Sequence, residues 1–392
     1  MMAIGAEEFN GIASIEVAVK DPFKALILEQ EGGRVRHSIR ELRRSELPDG
    51  DVLVSIAYSS LNYKDGLAVT GQGKIISRYP MVPGIDLAGT VEESASAEFR
   101  PGDTVLLTGW GIGERHWGGY AQAARVNAAW LLPVPEGLTL QGAMGIGTAG
   151  LTAMLSVMAM EERGLTASDK QSHPDAPGRA PSQAHPPAPG VISPARPELA
   201  KTSSFPMGCA SSREVIVTGA AGGVGGIAIA ILSKLGYRVV ASTGRTEAYD
   251  YLKALGASEV VDRKSLSATS GKALESERWA GAVDTVGGET LATLLRTMAH
   301  GGCVAVCGLA GGSLLQTTVF PFILRGVSVI GIASSTAPRE RRRLAWARLV
   351  YDLPREALER MIQVASLSDV PALSHAILQG HIRGRVVIDP NQ

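Results

Sequence analysis

A short apolar run, a cluster of glycines and a longer apolar run follow one another in the second half of the chain. Residues 215–217 are apolar and β-branched, which predicts a strand buried on both faces. Small residues follow at 219–226, and residues 227–235 form an apolar stretch that suits a helix ending at Gly236. A second strand is predicted at 238–242. The pattern therefore indicates a strand, a glycine-rich turn, a helix and a strand.

The alternation of strands and helices continues towards the C-terminus. Helices are predicted at 246–255 and 289–300. Further strands are predicted at 259–262, 282–286, 302–307 and 327–332. Alternating strands and helices are typical of a parallel, doubly wound sheet, so an α/β fold of the Rossmann type is expected.

The N-terminal part has a different pattern, with short strands and few helices. Short strands are predicted at 25–29, 52–57, 104–107 and, after a turn, within 81–91. They indicate a compact β-rich domain up to about residue 145. A helix is predicted at 147–160. Near the C-terminus, helices are predicted at 341–351 and 358–364, and a last strand at 385–388.

The glycine-rich turn has the composition of a phosphate-binding loop. Backbone N–H groups are exposed at a helix N-terminus, where the helix dipole favours an anion. A diphosphate can approach only where side chains are small or absent, so the expected coenzyme contacts are Ala221, Gly222, Gly223 and Val224. The match to G-x-G-x-x-G is imperfect because Ala220 replaces the first glycine, and the alternative is a turn without a ligand.

The end of the second strand indicates which dinucleotide binds. An NAD-preferring site carries Asp or Glu about 20 residues after the turn, where it binds the ribose 2′-hydroxyl. This chain has Ser242, Thr243, Gly244 and Arg245 there. Thr243 offers a hydroxyl, Gly244 leaves room, and Arg245 offers a planar cationic fork for a 2′-phosphate. NADPH is therefore expected in preference to NADH; the alternative is a solvated Arg245 at a helix start.

Charge and cysteine content exclude several classes of function. Lys+Arg and Asp+Glu are equal at 38 each, so neither nucleic acid nor a membrane is an expected partner. The three cysteines form no CxxC pair; Cys303 and Cys307 are expected to be buried, and Cys209 to be a free thiol in a linker. The first twenty residues resemble no targeting signal, and no apolar run is expected to reach membrane-spanning length. A cytoplasmic protein is expected.

Residues 168–211 differ from the rest of the chain in composition. Nine of the 21 prolines lie between Pro174 and Pro206, and Ala, Ser, Gly and Arg fill the gaps. Such a segment buries too little apolar surface to offset the loss of conformational entropy, so a disordered or loosely packed insertion is predicted. A PxxP-type ligand, a translated intron and a gene-model error are the alternatives.

Several motifs taken together resemble one family. They are Ser59-Ser60-Leu61-Asn62-Tyr63-Lys64-Asp65, Pro83-Gly84-Ile85-Asp86, Leu106-Leu107-Thr108-Gly109-Trp110-Gly111, His116-Trp117-Gly118-Gly119, Gly145-Ile146-Gly147-Thr148-Ala149-Gly150, Trp279-Ala280-Gly281-Ala282-Val283-Asp284-Thr285-Val286-Gly287, Cys307-Gly308-Leu309-Ala310-Gly311-Gly312 and Pro321-Phe322-Ile323-Leu324-Arg325-Gly326-Val327. With them, the chain resembles the medium-chain dehydrogenase/reductase superfamily, in its zinc-free quinone-oxidoreductase branch. It looks closest to the acrylyl-CoA reductase (NADPH) family.

The resemblance implies a GroES-like β-rich catalytic domain and a Rossmann domain, with a cleft between them. The catalytic domain is expected at 22–146 and 337–392, the Rossmann domain at 147–336, and an appended arm at 1–21. A homodimer is also implied. Zinc-binding members of the superfamily use Cys and His ligands, and the first domain contains no cysteine, so no metal site is expected.

The activity implied by the resemblance is NADPH-dependent reduction of acryloyl-CoA, or a related enoyl thioester, to propanoyl-CoA. Hydride addition to the β-carbon gives the thioester oxygen enolate character, which a hydrogen-bond donor stabilises. The resemblance places Tyr63 near the nicotinamide, with Asn62 beside it, and these are the candidate catalytic residues; the alternative for Tyr63 is packing. A broader quinone or enal reductase and a non-catalytic NADPH-binding scaffold remain as other functions.

Further candidate residues follow from position and from the resemblance. Thr285, Leu309 and Ser334 fall at the ends of Rossmann strands, where coenzyme contacts are expected. Arg325 and Arg385 are candidate contacts for a phosphate or for CoA.

Polar and aromatic residues of the first domain allow two interpretations. Lys64 and Asp65 are expected to form an exposed pair, and Asp86 to be a buried structural acceptor. His116 and Trp117 suit either a stacking or lid role, or simple packing.

Overall fold

The computed structural model describes residues 21–166, 214–267 and 271–392. The predicted insertion at 168–211, Cys209 and all but the last residue of the predicted arm at 1–21 lie outside these residues. The described chain forms a hairpin and two larger sheets.

The first part of the chain builds the hairpin and most of a seven-stranded sheet. The hairpin consists of β1 (Phe23–Glu31) and β2 (Arg34–Leu42). The other elements of this part are β3 (Val52–Ser60), α1 (Tyr63–Thr70), β4 (Asp86–Ser94), β5 (Thr104–Thr108), β6 (Ala123–Val126) and β7 (Leu132–Pro133). Neighbouring strands in this part pair antiparallel, as the short apolar runs and intervening turns lead one to expect.

The long helix α2 (Leu140–Glu162) packs against both large sheets. It begins before the predicted helix at 147–160 because Thr139 caps it, with the Thr139 hydroxyl accepting from Gly142 N at 3.0 Å. Contrary to the sequence-based expectation, α2 is long and apolar enough to cross a membrane. Since 94% of its most apolar window is buried inside the fold, core packing accounts for this composition.

The middle of the chain forms a six-stranded parallel sheet. Its strands are β8 (Glu214–Val217), β9 (Arg238–Thr243), β10 (Glu259–Asp262), β11 (Trp279–Asp284), β12 (Met298–Val306) and β13 (Ser328–Gly331). The helices between them are α3 (Gly223–Lys234), α4 (Tyr249–Ala254), α5 (Gly288–Thr297) and α6 (Phe320–Arg325). The strand order is β10-β9-β8-β11-β12-β13, which is the Rossmann order and confirms the predicted fold class.

The last part of the chain returns to the first large sheet. Its elements are α7 (Arg339–Asp352), α8 (Arg355–Met361), β14 (Ile362–Ser366), α9 (Val370–Leu378) and β15 (Arg385–Asp389). The predicted helix at 358–364 is wrong at its end. The helix stops at Met361, because Ile362–Ser366 form a strand that pairs parallel with β15. β15 in turn pairs antiparallel with β3.

Candidate active site

The glycine-rich turn joins β8 to α3 and is closed on one side only. Gly222 caps α3, whose first N–H groups have no acceptor within the helix. A Cβ on Gly225 would lie 2.6 Å from Gly219 O, and a Cβ on Gly219 would lie 2.1 Å from Thr285 Oγ1. A Cβ on Gly222 would meet only Gly219 O, at 3.3 Å, so that side is open. The turn therefore fits a diphosphate.

The four residues predicted to contact the coenzyme differ in exposure. Ala221 is buried and its carbonyl accepts from Gly384 N at 3.1 Å. Gly223 and Val224, like Gly222, are partly exposed. A Cβ on Gly223 would lie 2.9 Å from Arg385 Cδ, so the tail of the chain lies directly against the turn.

After the end of β9, Arg245 occupies the region where an NAD-preferring site carries Asp or Glu. Thr243 is buried and its hydroxyl accepts from Arg245 N at 3.2 Å. Arg245 Nη2 donates to Ile382 O at 3.2 Å, so the guanidinium is held rather than free in solvent. Burial lowers the pKa of Arg245. This geometry favours the interpretation of Arg245 as an anion-binding residue over that of a solvated arginine.

Arg263 lies beside Gly244, and sequence reasoning missed it. A Cβ on Gly244 would lie 2.5 Å from Arg263 Nε, so glycine makes room for this arginine. Arg263 directly follows β10, whose last residue, Asp262, pairs with Thr243 in β9. Because neighbouring parallel strands end at one edge of the sheet, its position after a strand was the available signal.

Tyr63 and Asn62 begin α1 but differ in availability. Tyr63 is the first residue of the helix and is 42% exposed. Asn62 is buried, and its Nδ2 donates to Asp86 Oδ2 at 2.8 Å, while its Oδ1 accepts from Arg385 Nη1 at 3.4 Å. The phenol of Tyr63 is therefore accessible to a ligand, whereas the amide of Asn62 is engaged by the protein.

Asp86 is a buried acceptor at the point where the two sheets meet. Its carboxylate accepts from Ser60 Oγ at 2.6 Å, from Asn62 Nδ2 at 2.8 Å and from the N–H and hydroxyl of Thr148 at 2.9 and 2.5 Å. A Cβ on Gly147, where φ is 49°, would lie 2.6 Å from Asp86 Oδ2. The close approach explains the glycine and the kink of α2 at this residue.

The two arginines considered as phosphate or CoA contacts lie in different places. Arg385 is buried and donates to Gly145 O at 2.9 Å and Leu61 O at 3.1 Å, behind the glycine-rich turn. Arg325 donates to Met298 O at 3.0 Å, at the start of β12 and thus at the opposite edge of the sheet from the turn. Only Arg385 lies next to the candidate site.

Three predicted coenzyme contacts follow Rossmann strands, as expected. The Thr285 hydroxyl donates to Thr218 O at 3.0 Å. Leu309 is 62% exposed in the loop after β12. Ser334 Oγ accepts from Thr152 Oγ1 at 2.7 Å. All three lie towards the sheet edge that carries the glycine-rich turn.

The expected exposed pair of Lys64 and Asp65 is wrong. Asp65 is 1% exposed and accepts from the N–H groups of Asn62 at 2.9 Å and Ile85 at 3.0 Å, because it caps α1 from inside. Burial and the neighbouring carboxylate of Asp86 raise the pKa of Asp65 to about 7. Lys64 pairs instead with Glu114, at 3.0 Å.

The glycine-rich loop with His116 and Trp117 is held by contacts within the first part of the chain. His116 Nε2 lies 2.7 Å from Arg125 O, and its ring meets that of Trp130 edge-on at 5.3 Å. Trp117 Nε1 donates to Pro80 O at 3.4 Å. These contacts favour packing over a lid role.

The described residues provide no favourable site for thiolate chemistry or for a metal ion. Burial raises the pKa of Cys303 and Cys307 to about 12, which disfavours the thiolate. Across 21–166, 214–267 and 271–392, no group of three or more His, Cys, Asp or Glu side chains could hold a metal ion.

Comparisons with known proteins match this architecture. The family model described as "Alcohol dehydrogenase GroES-like domain" matches residues 48–136, and "Zinc-binding dehydrogenase" matches 223–350. Acrylyl-CoA reductase AcuI of Ruegeria pomeroyi is 47% identical over 94% of this chain and 99% of its own length. The structure of Escherichia coli K-12 YhdH with bound NADPH is 46% identical, with a TM-score of 0.81, over 94% of this chain and all of that one. Bacillus subtilis yhfP, solved with NAD bound, is 40% identical, with a TM-score of 0.80, over 94% of this chain and all of that one.

A GroES-like sheet joined to a Rossmann sheet, with a coenzyme turn where they meet, defines a medium-chain dehydrogenase/reductase. The near full-length matches narrow this class. The chain belongs to the acrylyl-CoA reductase family, which confirms the resemblance found from the sequence motifs.

Proposed function

We propose that this protein uses NADPH to reduce the C=C bond of acryloyl-CoA, giving propanoyl-CoA, in the cytoplasm. The observation that supports the proposal most strongly is the match, over 94% of the chain, to a protein named as an acrylyl-CoA reductase. An enoyl thioester is thus the proposed substrate class, with no nucleic acid or membrane as partner. The balanced reaction is acryloyl-CoA + NADPH + H⁺ → propanoyl-CoA + NADP⁺.

The residues of the chain have separate roles in this reaction. NADPH, when bound, supplies the hydride for the β-carbon. The N–H groups of Gly223 and Val224 at the start of α3 bind the diphosphate, and Arg245 binds the 2′-phosphate. The exposed phenol of Tyr63 donates a hydrogen bond to the thioester oxygen as negative charge develops there, and Asn62 orients the start of α1.

The remaining proposed coenzyme contacts lie around the turn and along the edge of the sheet. They are Ala221, Gly222, Thr243, Gly244, Thr285, Leu309, Ser334 and Arg385. We also propose a catalytic domain of residues 22–146 and 337–392, and a Rossmann domain of 147–336. The pairing of β15 with β3 and the kink of α2 at Gly147 support this division.

The proposed function is tested by following NADPH oxidation with three acceptors: acryloyl-CoA, crotonoyl-CoA and a quinone. The full chain and a variant lacking residues 170–211 are assayed side by side. Acryloyl-CoA should give the highest kcat/KM in the full chain. A higher value with the quinone would replace the proposed substrate, and binding of NADPH without oxidation by any acceptor would indicate a scaffold.

Replacing Tyr63 with phenylalanine should lower turnover at least severalfold, because the phenol is the proposed donor to the thioester oxygen. Steady-state kinetics with saturating NADPH measure the effect on kcat. Tyr351→Phe, on α7, is the matched control and should leave kcat unchanged. Wild-type kinetics in Tyr63→Phe would remove Tyr63 from the proposed mechanism.

We further propose a homodimer formed through the edge strand β13. An edge strand has unpaired backbone groups that can pair with a second copy across a two-fold axis. The segment around it carries large apolar side chains that are 40–78% exposed: Leu314, Val319, Ile323, Leu324 and Val329. Several exposed apolar side chains within one such segment are typical of a protein interface.

Replacing Val329 with lysine should convert the dimer into a monomer, because a charge would be buried at the proposed interface. Sedimentation equilibrium measures the mass. Val364→Lys is the matched control, since Val364 is also a roughly 40%-exposed valine on an edge strand, β14, of the other large sheet. A dimer that persists in Val329→Lys, or one lost equally in Val364→Lys, would place the interface elsewhere.

A further inference from the structure

A third arginine reaches the end of β9 from the last part of the chain. Arg383 is exposed and lies in the loop that leads into β15. Its guanidinium carbon lies 4.9 Å from the centre of the ring of Tyr251, a residue of α4 in the Rossmann part of the chain. The adjacent Gly384 N donates to Ala221 O at 3.1 Å. This loop is therefore held against the coenzyme-binding edge by its own backbone.

The same loop brings the charges of two arginines close together. Arg245 donates to Ile382 O, the residue before Arg383. Burial and then the positive charge of Arg383 lower the pKa of Arg245. Burial raises the pKa of Tyr251 to about 12, and the charges of Arg383 and Arg245 partly oppose this rise. The phenol oxygen has no hydrogen-bond partner in the described part of the chain. Two cations placed side by side favour the binding of an anion between them.

The arginines around the end of β9 form no ion pairs within the described part of the chain. In the part of the chain that the structure describes, neither Arg245, Arg263 nor Arg383 forms an ion pair with a carboxylate. The carboxylate of Glu247 acts on Arg245 through its charge, more strongly than Arg383 does, but forms no ion pair with it. An anion of more than one negative charge, such as a phosphate monoester, matches this set of donors.

We infer, given the proposed use of NADPH, that Arg383 is a specificity-determining residue that contacts the 2′-phosphate together with Arg245. Arg383 lies in the tail, which returns to the first sheet, whereas Arg245 follows a Rossmann strand. The 2′-phosphate therefore joins the two parts of the protein, and coenzyme selection depends on both. The stacking of Arg383 on Tyr251 holds its guanidinium in place.

The test uses two small probes and the full chain. Adenosine 2′,5′-diphosphate carries the 2′-phosphate, and adenosine 5′-diphosphate lacks it. Isothermal titration with Arg383→Gln should show a roughly 10-fold loss of affinity for the first probe and no change for the second. Arg383→Lys, which keeps the charge, should retain most of the affinity. Arg100→Gln, a change of the same charge at an exposed turn, should behave as wild type.

Each other result has a definite meaning. Unchanged binding of adenosine 2′,5′-diphosphate by Arg383→Gln overturns the inference. An equal loss of affinity for both probes overturns it as well, because a general disturbance of the loop then explains the loss. Wild-type protein that does not prefer the 2′-phosphate probe overturns both the inference and the choice of NADPH. Tight binding of that probe, combined with no reduction of acryloyl-CoA, removes only the proposed substrate.

Discussion

Replacing Arg245 with alanine is expected to weaken NADPH binding by roughly 10- to 150-fold and to leave NADH binding almost unchanged. A guanidinium bound to a phosphate forms charge-assisted hydrogen bonds worth about 1.5–3 kcal/mol. NADH lacks the 2′-phosphate and so loses nothing. Arg245 is half-buried and held by Ile382 O, which increases the expected effect relative to a solvated side chain. Dissociation constants for both coenzymes, measured by fluorescence titration, give the ratio directly.

Arg100→Ala is the control for the loss of one positive charge, since Arg100 is exposed in a turn between β4 and β5. Its NADPH-to-NADH ratio should equal that of the wild type. An unchanged ratio in Arg245→Ala would mean that another group selects the coenzyme. A fall in affinity for both coenzymes would instead indicate that the arginine supports the loop near Ile382.

Replacing Arg385 with methionine is expected to lower the free energy of unfolding by about 3–5 kcal/mol. Methionine has a similar length but no charge, so the carbonyls of Gly145 and Leu61 lose their donor. The buried carboxylate of Asp86 also loses the positive charge that compensates it. Urea unfolding followed by circular dichroism measures the change, with Arg385→Lys expected to fall between methionine and the wild type.

Arg383→Met is the matched control, two positions earlier, in the loop that leads into β15. Arg383 is exposed, so its replacement should change stability by at most about 0.5 kcal/mol. A loss of less than about 1 kcal/mol in Arg385→Met would show that the hydroxyls and N–H groups around Asp86 suffice to stabilise its charge.

The Rossmann half of the fold was predictable because its signals are local. A β-branched run, small residues and a helix-length apolar run lie within about two dozen neighbouring positions, and their order alone defines the strand, turn and helix. The signal for the coenzyme was equally local, since Thr243, Gly244 and Arg245 lie together at the end of one strand.

The polar cluster between the sheets could not be derived from local patterns. Asn62, Asp86 and Arg385 are separated by up to 323 residues and meet only after β15 has paired with β3. Asp65 was misjudged for a related reason, because its burial depends on the packing of α1 against α9 and not on its polar neighbours. Arg263 and Arg383 were missed because each reaches the site from another strand or another sheet.

The transfer of a hydride from NADPH to the β-carbon is tested most directly with a labelled coenzyme. NADPH carrying deuterium at the transferable C4 position is incubated with the protein and acryloyl-CoA, and the product is examined by NMR and mass spectrometry. The proposed reaction yields propanoyl-CoA with one deuterium on the β-carbon. Deuterium on the α-carbon, unlabelled product, or coenzyme that stays reduced would contradict the proposed function.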